Sequence, residues 1–242
     1  MLWIAAIAVG ALHTLLGPDH YLPFLVIGRS RRWRLRGTLL LTLLCGLGHV
    51  LSSVAIGLVG IAAGAALHEI KGLEATRGEI AGFALVLFGA GYTAYGVFRA
   101  LRGKRHAHPH LHEDGTLHLH GHDHRSALSH PPLHAHGHAA PAEAPIEWKS
   151  LTPWILFLVF VLGPCEPLVP LFFASAVAGD WREAALVVGG YSAATLATML
   201  AIVSASWAGL RAIDLGPFER WSHAAAGAVV LLSGLSVTAL GL

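Results

Sequence analysis

Asparagine and glutamine are absent from the 242-residue sequence, and charge is scarce, with Asp, Glu, Lys and Arg together making up 12%. Without amides, helices packed in lipid lose one of their usual interhelical hydrogen-bonding groups. Polar chemistry inside the chain therefore falls to His, Asp, Glu, Cys, Ser, Thr and the backbone. A soluble domain carries charge on roughly a quarter of its residues, so the composition excludes an ordinary cytosolic enzyme. The formal net charge of +2 supplies no global field for nucleic acid. The two cysteines, Cys45 and Cys165, both lie in apolar runs and make no disulfide framework. There is no Gly-x-x-x-x-Gly-Lys-Ser/Thr phosphate loop and no His-Glu-x-x-His helix, which argues against nucleotide-driven work and against an intramembrane zinc protease.

What the chain has in quantity is apolar sequence, at 55% hydrophobic residues with a mean hydropathy of +0.61. About 20 apolar residues cross a bilayer as a helix. Stretches near 2–27, 38–67, 79–101, 151–176, 184–209 and 223–241 meet that length. The expected fold is all-α and integral to a membrane, with six transmembrane helices. The first stretch carries no basic residue ahead of its apolar run and is expected to stay on the protein. Arg29, Arg31, Arg32, Arg34 and Arg36 crowd the first loop, and Arg99, Arg102, Lys104, Arg105, Arg125 and Lys149 flank or lie in the third. Loops two and four hold fewer cations: Lys71 with Arg77, then Arg182, each beside acids. The odd-numbered loops are then cytoplasmic, with both termini outside. The corresponding organisation is residues 1–101 as a first three-helix unit, 102–150 as a cytoplasmic His-rich loop, and 151–242 as a second three-helix unit.

Leu16-Gly17-Pro18-Asp19-His20-Tyr21-Leu22-Pro23 in the first stretch is similar, with one residue of slippage, to Leu162-Gly163-Pro164-Cys165-Glu166-Pro167-Leu168-Val169-Pro170 in the fourth. Three helices intervene, so the two copies enter the membrane from opposite sides and the halves are expected to be inverted repeats. Proline lacks the N–H that a helix interior requires. Gly17-Pro18 and Gly163-Pro164 are expected to break the first and fourth helices, exposing backbone that membranes tolerate only beside protein or a cavity. Ionisable or thiol residues follow each break at once.

At expected membrane depth the chain carries His13, Asp19, His20, Cys45, His49, Cys165 and Glu166, all costly if they face lipid. No Lys or Arg is expected at that depth to pair with Asp19 or Glu166. Cys45 and His49 are four apart and share a helix face. Cys45 reads more simply as a small buried hydrophobe, His49 equally as a ligand or a helix–helix hydrogen bond, and His68 and His223 as interfacial residues at span ends. Imidazole, carboxylate and thiolate donors together suit Ni²⁺, Co²⁺ or Zn²⁺.

The segment His13-Thr14-Leu15-Leu16-Gly17-Pro18-Asp19-His20 resembles the His-x(4 or 5)-Asp-His signature in the early helix of nickel/cobalt transporters, a group that includes NicO-type exporters and urease-accessory-like membrane proteins of the lysine-exporter-like superfamily. Gly46-Leu47-Gly48-His49-Val50-Leu51-Ser52-Ser53 is similar to that family's Leu-Gly-His-Ser/Thr segment on the next helix. The resemblance covers about the first sixty residues well. It implies that His13, Asp19, His20 and His49 bind the ion during translocation. The second-half Gly163-Pro164-Cys165-Glu166-Pro167 departs from the Pro-Cys pattern of those exporters by its added acid.

Of the 17 histidines, most fall between His106 and His138, largely on alternate residues. Such a tract buries no core and is expected to be disordered without a ligand. Its expected use is metal capture by residues such as His106, His108, His110, His112, His118, His120, His122 and His124; a pH sensor is the alternative. One local structure is available to it. With Glu113-Asp114-Gly115 as a hairpin loop, His110 would face His118, His108 His120, and His106 His122.

The leading expectation is a secondary transporter for a divalent transition-metal ion (Ni²⁺, Co²⁺ or Zn²⁺ as substrate), with no organic cofactor and no enzymatic activity. Cys165 and Glu166 would complete the site or form a gate. Expected partners are the metal ion, the lipid bilayer and a metallochaperone or second copy, but not nucleic acid. Glycines such as Gly46, Gly57, Gly60 and Gly64 would permit close helix contact. Two other classes remain open. A membrane thiol-disulfide electron carrier would use Cys165, although its counterpart in the first half is Asp19. A membrane-anchored metal sensor or chaperone would bind without flux.

Overall fold

Proline and glycine set the punctuation of the helices. The computed structural model describes residues 1–102, 106–111, 117–122, 143–212 and 216–240. Helix α1 (Leu2–Leu16) stops where Gly17 turns extended and Pro18 begins a short 3-10 turn, Pro18–His20, after which α2 runs over Leu22–Ser30. The fourth stretch behaves the same way. Helix α5 (Leu151–Leu162) ends at an extended Gly163, and α6 (Leu168–Val177) restarts after Pro167. Both breaks fall at the Gly-Pro pairs. Between and after them run α3 (Leu35–Ala62), α4 (Leu67–Arg102), α7 (Trp181–Ala212) and α8 (Ser222–Leu240).

Among the described residues, four helices are long and apolar enough to cross a membrane, at Leu35–Ala62, Leu67–Arg102, Trp181–Gly209 and Glu219–Ala239; Leu2–Leu16, Leu151–Leu162 and Leu168–Val177 are shorter apolar helices. The outer surface fits that reading. Leu12, Leu51, Phe83, Leu87, Leu158 and Leu232 all point outward and are more than half exposed, an arrangement suited to lipid rather than water.

Among the described residues, two buried apolar clusters hold the bundle together. One gathers Phe24, Ile27, Leu41, Cys45, Leu85, Leu156, Phe160 and Val203; the other gathers Ala6, Val50, Cys165, Leu168, Phe172 and Tyr191. Helix α1 packs along α7, α5 along α3, and α4 along α8. The α4–α8 seam is the tightest. A Cβ added at Gly89 would lie 2.4 Å from the backbone nitrogen of Leu231, one at Gly96 2.2 Å from that of Ala224, and one at Gly227 2.3 Å from that of Thr93. Here the backbones themselves touch, which only glycine allows. On α3, Gly46, Gly57 and Gly60 likewise meet side chains of neighbouring residues, whereas Gly64 has φ +71° and open space around it. Gly64 therefore terminates the helix rather than packing it.

Helix α4 begins a dozen residues before the expected stretch at 79–101. Arg77, expected in the second loop, lies within that helix beside a buried Glu74. In the His-rich segment, β1 (His106–Leu111) pairs antiparallel with β2 (Leu117–His122), setting His106 opposite His122, His108 opposite His120 and His110 opposite His118. This is the register expected from alternation. The Glu113-Asp114-Gly115 loop, His112, His124 and the rest of the tract to His138 lie outside the described residues.

Candidate metal centre

His13 lies one turn before the end of α1, and His20 closes the 3-10 turn that follows it. Continuing α1 through Pro18 would send His20 along the helix axis; the break instead swings it back beside His13. Their rings meet edge to face with centroids 4.8 Å apart, and His20 meets His49 of α3 in the same way at 5.2 Å. One potential ligand atom from each of the three residues lies within 4.8 Å of the other two.

The partners of these rings decide their chemistry. Nδ1 of His20 lies 3.1 Å from the carbonyl of Gly17 and 3.2 Å from Oδ1 of Asp19. Nδ1 of His49 lies 3.3 Å from the carbonyl of Phe160 on α5. Carbonyl and carboxylate oxygens only accept, so a neutral ring must carry its proton on Nδ1 at both residues. That tautomer leaves a lone pair on Nε2. The Nε2 atoms of His13, His20 and His49 are all buried and have no hydrogen-bond partner among the described residues. A buried nitrogen without a partner is costly, and three in one place call for a common occupant.

A transition-metal ion fits. Tetrahedral Zn–N bonds of about 2.0–2.1 Å set ligand nitrogens about 3.3 Å apart, so three ligand atoms lying within 4.8 Å of one another close around an ion with shifts of less than about 1 Å per ring. The carboxylate behind His20 and the carbonyl behind His49 are the usual outer partners of metal-binding imidazoles, fixing ring orientation and raising basicity.

All three histidines line one cavity of about 410 Å³, together with Asp19, Glu79 and Glu166. Gly163 and Pro164 also line it, so the two helix breaks face the same space. Gly17 is required for close approach, because a Cβ there would lie 2.6 Å from Nδ1 of His20.

The remaining sequence candidates divide. Glu166 opens onto the cavity, whereas Cys165, one residue earlier, is fully buried with Sγ 3.6 Å from the Tyr191 hydroxyl. Cys45 packs in the apolar cluster around Phe24 and Leu156, as a small hydrophobe would. His68 is exposed. His223 is buried, with Nδ1 2.9 Å from the Tyr92 hydroxyl.

Three charged residues near the cavity were not singled out by the sequence. Arg77 pairs with Glu74 and donates to Ser52, to Ser53 and to the carbonyls of Val161 and Gly163 at the end of α5. Glu74 accepts from Ser53 and from the backbone N–H of Cys165. This ion pair engages backbone groups on both sides of the second break, the Val161 and Gly163 carbonyls before it and the Cys165 N–H after it. Glu79 follows on the same helix, at the cavity wall. A charged stretch at a span edge reads as loop, which hid all three.

Comparison with protein-family models, with curated proteins and with solved structures returns no match.

Proposed function

We propose that this chain is a secondary transporter that moves a divalent transition-metal ion, Ni²⁺, Co²⁺ or Zn²⁺, across a cytoplasmic membrane. The observation that carries this reading is the set of three buried, unpartnered Nε2 atoms on His13, His20 and His49 facing one cavity between two broken helices. In this account the ion is the substrate and the three imidazoles replace part of its water shell. Asp19 holds His20 in its metal-binding tautomer, and Glu166 and Glu79 offer carboxylates on the path into the site.

An inverted-repeat architecture is supported by the packing. In each half a broken helix is followed by two continuous ones, and the first segment of each broken helix packs on the middle helix of the other half: α1 on α7, α5 on α3. Alternating access then consists of one three-helix half rocking against the other around the site. Cytoplasmic placement of the His-rich tract, with both termini outside, follows from the basic residues of the first and third loops. There the tract would concentrate the ion for the transmembrane site, or accept it from a metallochaperone. The resemblance to the nickel/cobalt transporters supports the metal class.

The thiol-disulfide reading is disfavoured by the cysteines themselves, which are buried in separate apolar clusters. A sensor without flux would use the same three histidines, and transport separates the two. Proteoliposomes holding the chain are expected to take up labelled Ni²⁺, Co²⁺ or Zn²⁺ faster than protein-free liposomes. Equal uptake across the metal panel, with metal still bound by the protein, would replace transport by sensing.

A further inference from the structure

We propose that a second ligand site, for an anion, lies in the basic pocket where α2 and α4 end and α8 begins against the strap of residues 143–147, and that it takes a phosphate group at lipid-headgroup depth. This inference rests on the apolar outer surface and is independent of the metal reading.

The pocket encloses about 220 Å³, and Arg31, Arg32, Arg99, His223, Tyr95 and Glu147 stand on its wall. Its cations are held in place. The buried Tyr92 hydroxyl takes Nε of Arg31 at 3.3 Å, the Ser30 hydroxyl at 3.2 Å and Nδ1 of His223 at 2.9 Å, and the Arg31 guanidinium lies over the Tyr92 ring. Arg99 donates to the Tyr95 hydroxyl. The strap is pinned to the α2–α3 turn, with the Ala144 N–H donating to the Arg32 carbonyl at 2.8 Å and the Arg34 N–H donating to the Ala144 carbonyl at 3.0 Å. Arg32 at the centre of that turn has φ 56°, the one positive value at a non-glycine residue among the described residues. Left-handed backbone at an arginine costs energy and is held by its surroundings.

The charges on this wall are unbalanced. Arg32 is paired with Glu219. Arg31 and Arg99 have no carboxylate in ion-pair contact among the described residues, and Glu147, the wall's one acid, has no cation in ion-pair contact among them. Two oriented guanidinium groups beside an imidazole are a donor set for a phosphate, which accepts paired N–H groups in the planar geometry that arginine presents. The depth indicates where that phosphate comes from. Tyr95, Trp148 and Trp154 are exposed at this end of the bundle, and amphipathic aromatics settle at the headgroup level. Basic pockets between helices at that level bind anionic headgroups.

The test uses the full chain in detergent, with phosphatidylglycerol, phosphatidylcholine or inorganic phosphate added, read by native mass spectrometry and by melting temperature. Phosphatidylglycerol should be retained and should raise the melting temperature, while phosphatidylcholine should not. Arg31→Gln/Arg99→Gln should reduce retention at least tenfold. Arg34→Gln/Arg36→Gln, which removes exposed charges outside the pocket, should leave it unchanged. Arg99→Gln alone, which gives up a single tyrosine contact, provides the same reading if the double variant does not fold. A melting shift with inorganic phosphate that depends on Arg31 and Arg99 would identify free phosphate as an occupant of the same site. Equal retention of the two lipids, equal loss in both arginine pairs, or no effect of any phosphate compound would overturn the proposal.

Discussion

His20 and His49 meet edge to face, ring centroids 5.2 Å apart and nearly perpendicular, with each Nδ1 engaged by an oxygen and each Nε2 unpartnered. They come from the 3-10 turn after α1 and from the middle of α3, and neither element could build the pair alone. Replacing either with alanine removes one of three nitrogens from the site. Metal affinity at the transmembrane site should fall at least tenfold in His20→Ala and in His49→Ala. Calorimetric titration of a chain whose loop histidines are serine is the measurement, and unchanged affinity in both variants would remove these residues from the site.

Asp19 acts through His20. Asp19→Asn keeps the shape, loses the charge behind Nδ1 and offers an amide that can present N–H to the ring. Outer-partner changes of this kind cost about 10–100-fold in metal affinity. A loss in that range with unchanged helical content is expected; full affinity in Asp19→Asn would show that the carboxylate does not orient the ring.

Gly17→Ala places a methyl 2.6 Å from Nδ1 of His20. The helix has already ended at Leu16, so helical content should hold while the ring is displaced. Overpacking of this kind costs about 1–3 kcal/mol. Metal binding should fall more steeply than melting temperature, and a variant that binds normally would argue that His20 is free to move without consequence.

How much of this was legible in the sequence differs by element. Gly17-Pro18 and Gly163-Pro164 announced the breaks because proline removes a donor wherever it stands, and the alternation of His106, His108 and His110 with His118, His120 and His122 fixed the strand register. The three-histidine cluster is contained in the set of polar residues in apolar runs, and so is Asp19, whose Oδ1 lies against Nδ1 of His20 while the residue also lines the cavity. The start of α4 was hidden. Glu69, Lys71, Glu74, Arg77 and Glu79 lower local hydropathy, and nothing in one dimension reveals that Glu74 and Arg77 neutralise each other against a break far along the chain. Cys165 and Glu166 point to different surroundings because the segment between α5 and α6 has no helical period from which to assign faces. The close approach of Gly89 to Leu231 and of Gly96 to Ala224 depends on a helix more than a hundred residues further along the chain.

The Glu74–Arg77 pair gives a prediction about stability. Glu74 is 1% exposed, and removing Arg77 would strand its charge and free the carbonyls of Val161 and Gly163. Breaking a buried pair from one side costs about 3–5 kcal/mol. Arg77→Met should lower the melting temperature markedly, and adding Glu74→Leu should recover part of the loss. A double variant less stable than Arg77→Met would mean that the carboxylate is sustained by Ser53 and the Cys165 N–H without the arginine.

Metal retention by the His-rich tract should weaken on acidification. Ligation requires neutral imidazole, and a histidine with the ordinary pKa of about 6.5 is mostly protonated at pH 5.5. The sign is therefore loss of metal as pH falls through about 6.5. Equilibrium dialysis of Ni²⁺ or Zn²⁺ against the full chain and against a chain lacking residues 106–138 isolates the tract's share; retention by the tract that is equal at pH 7.5 and 5.5 would exclude imidazole ligation.

In the proposed transporter, three imidazoles from two parts of the chain enclose a cation inside the helix bundle. X-ray absorption on the Zn²⁺-loaded chain, with the histidines from His106 to His138 replaced by serine, reads that enclosure from the metal itself. One bound Zn²⁺ is expected, with three imidazole nitrogens in its nearest shell at about 2.0–2.1 Å, lost when His20 and His49 are alanine. No retained zinc, or a nitrogen shell that survives that double replacement, would contradict it.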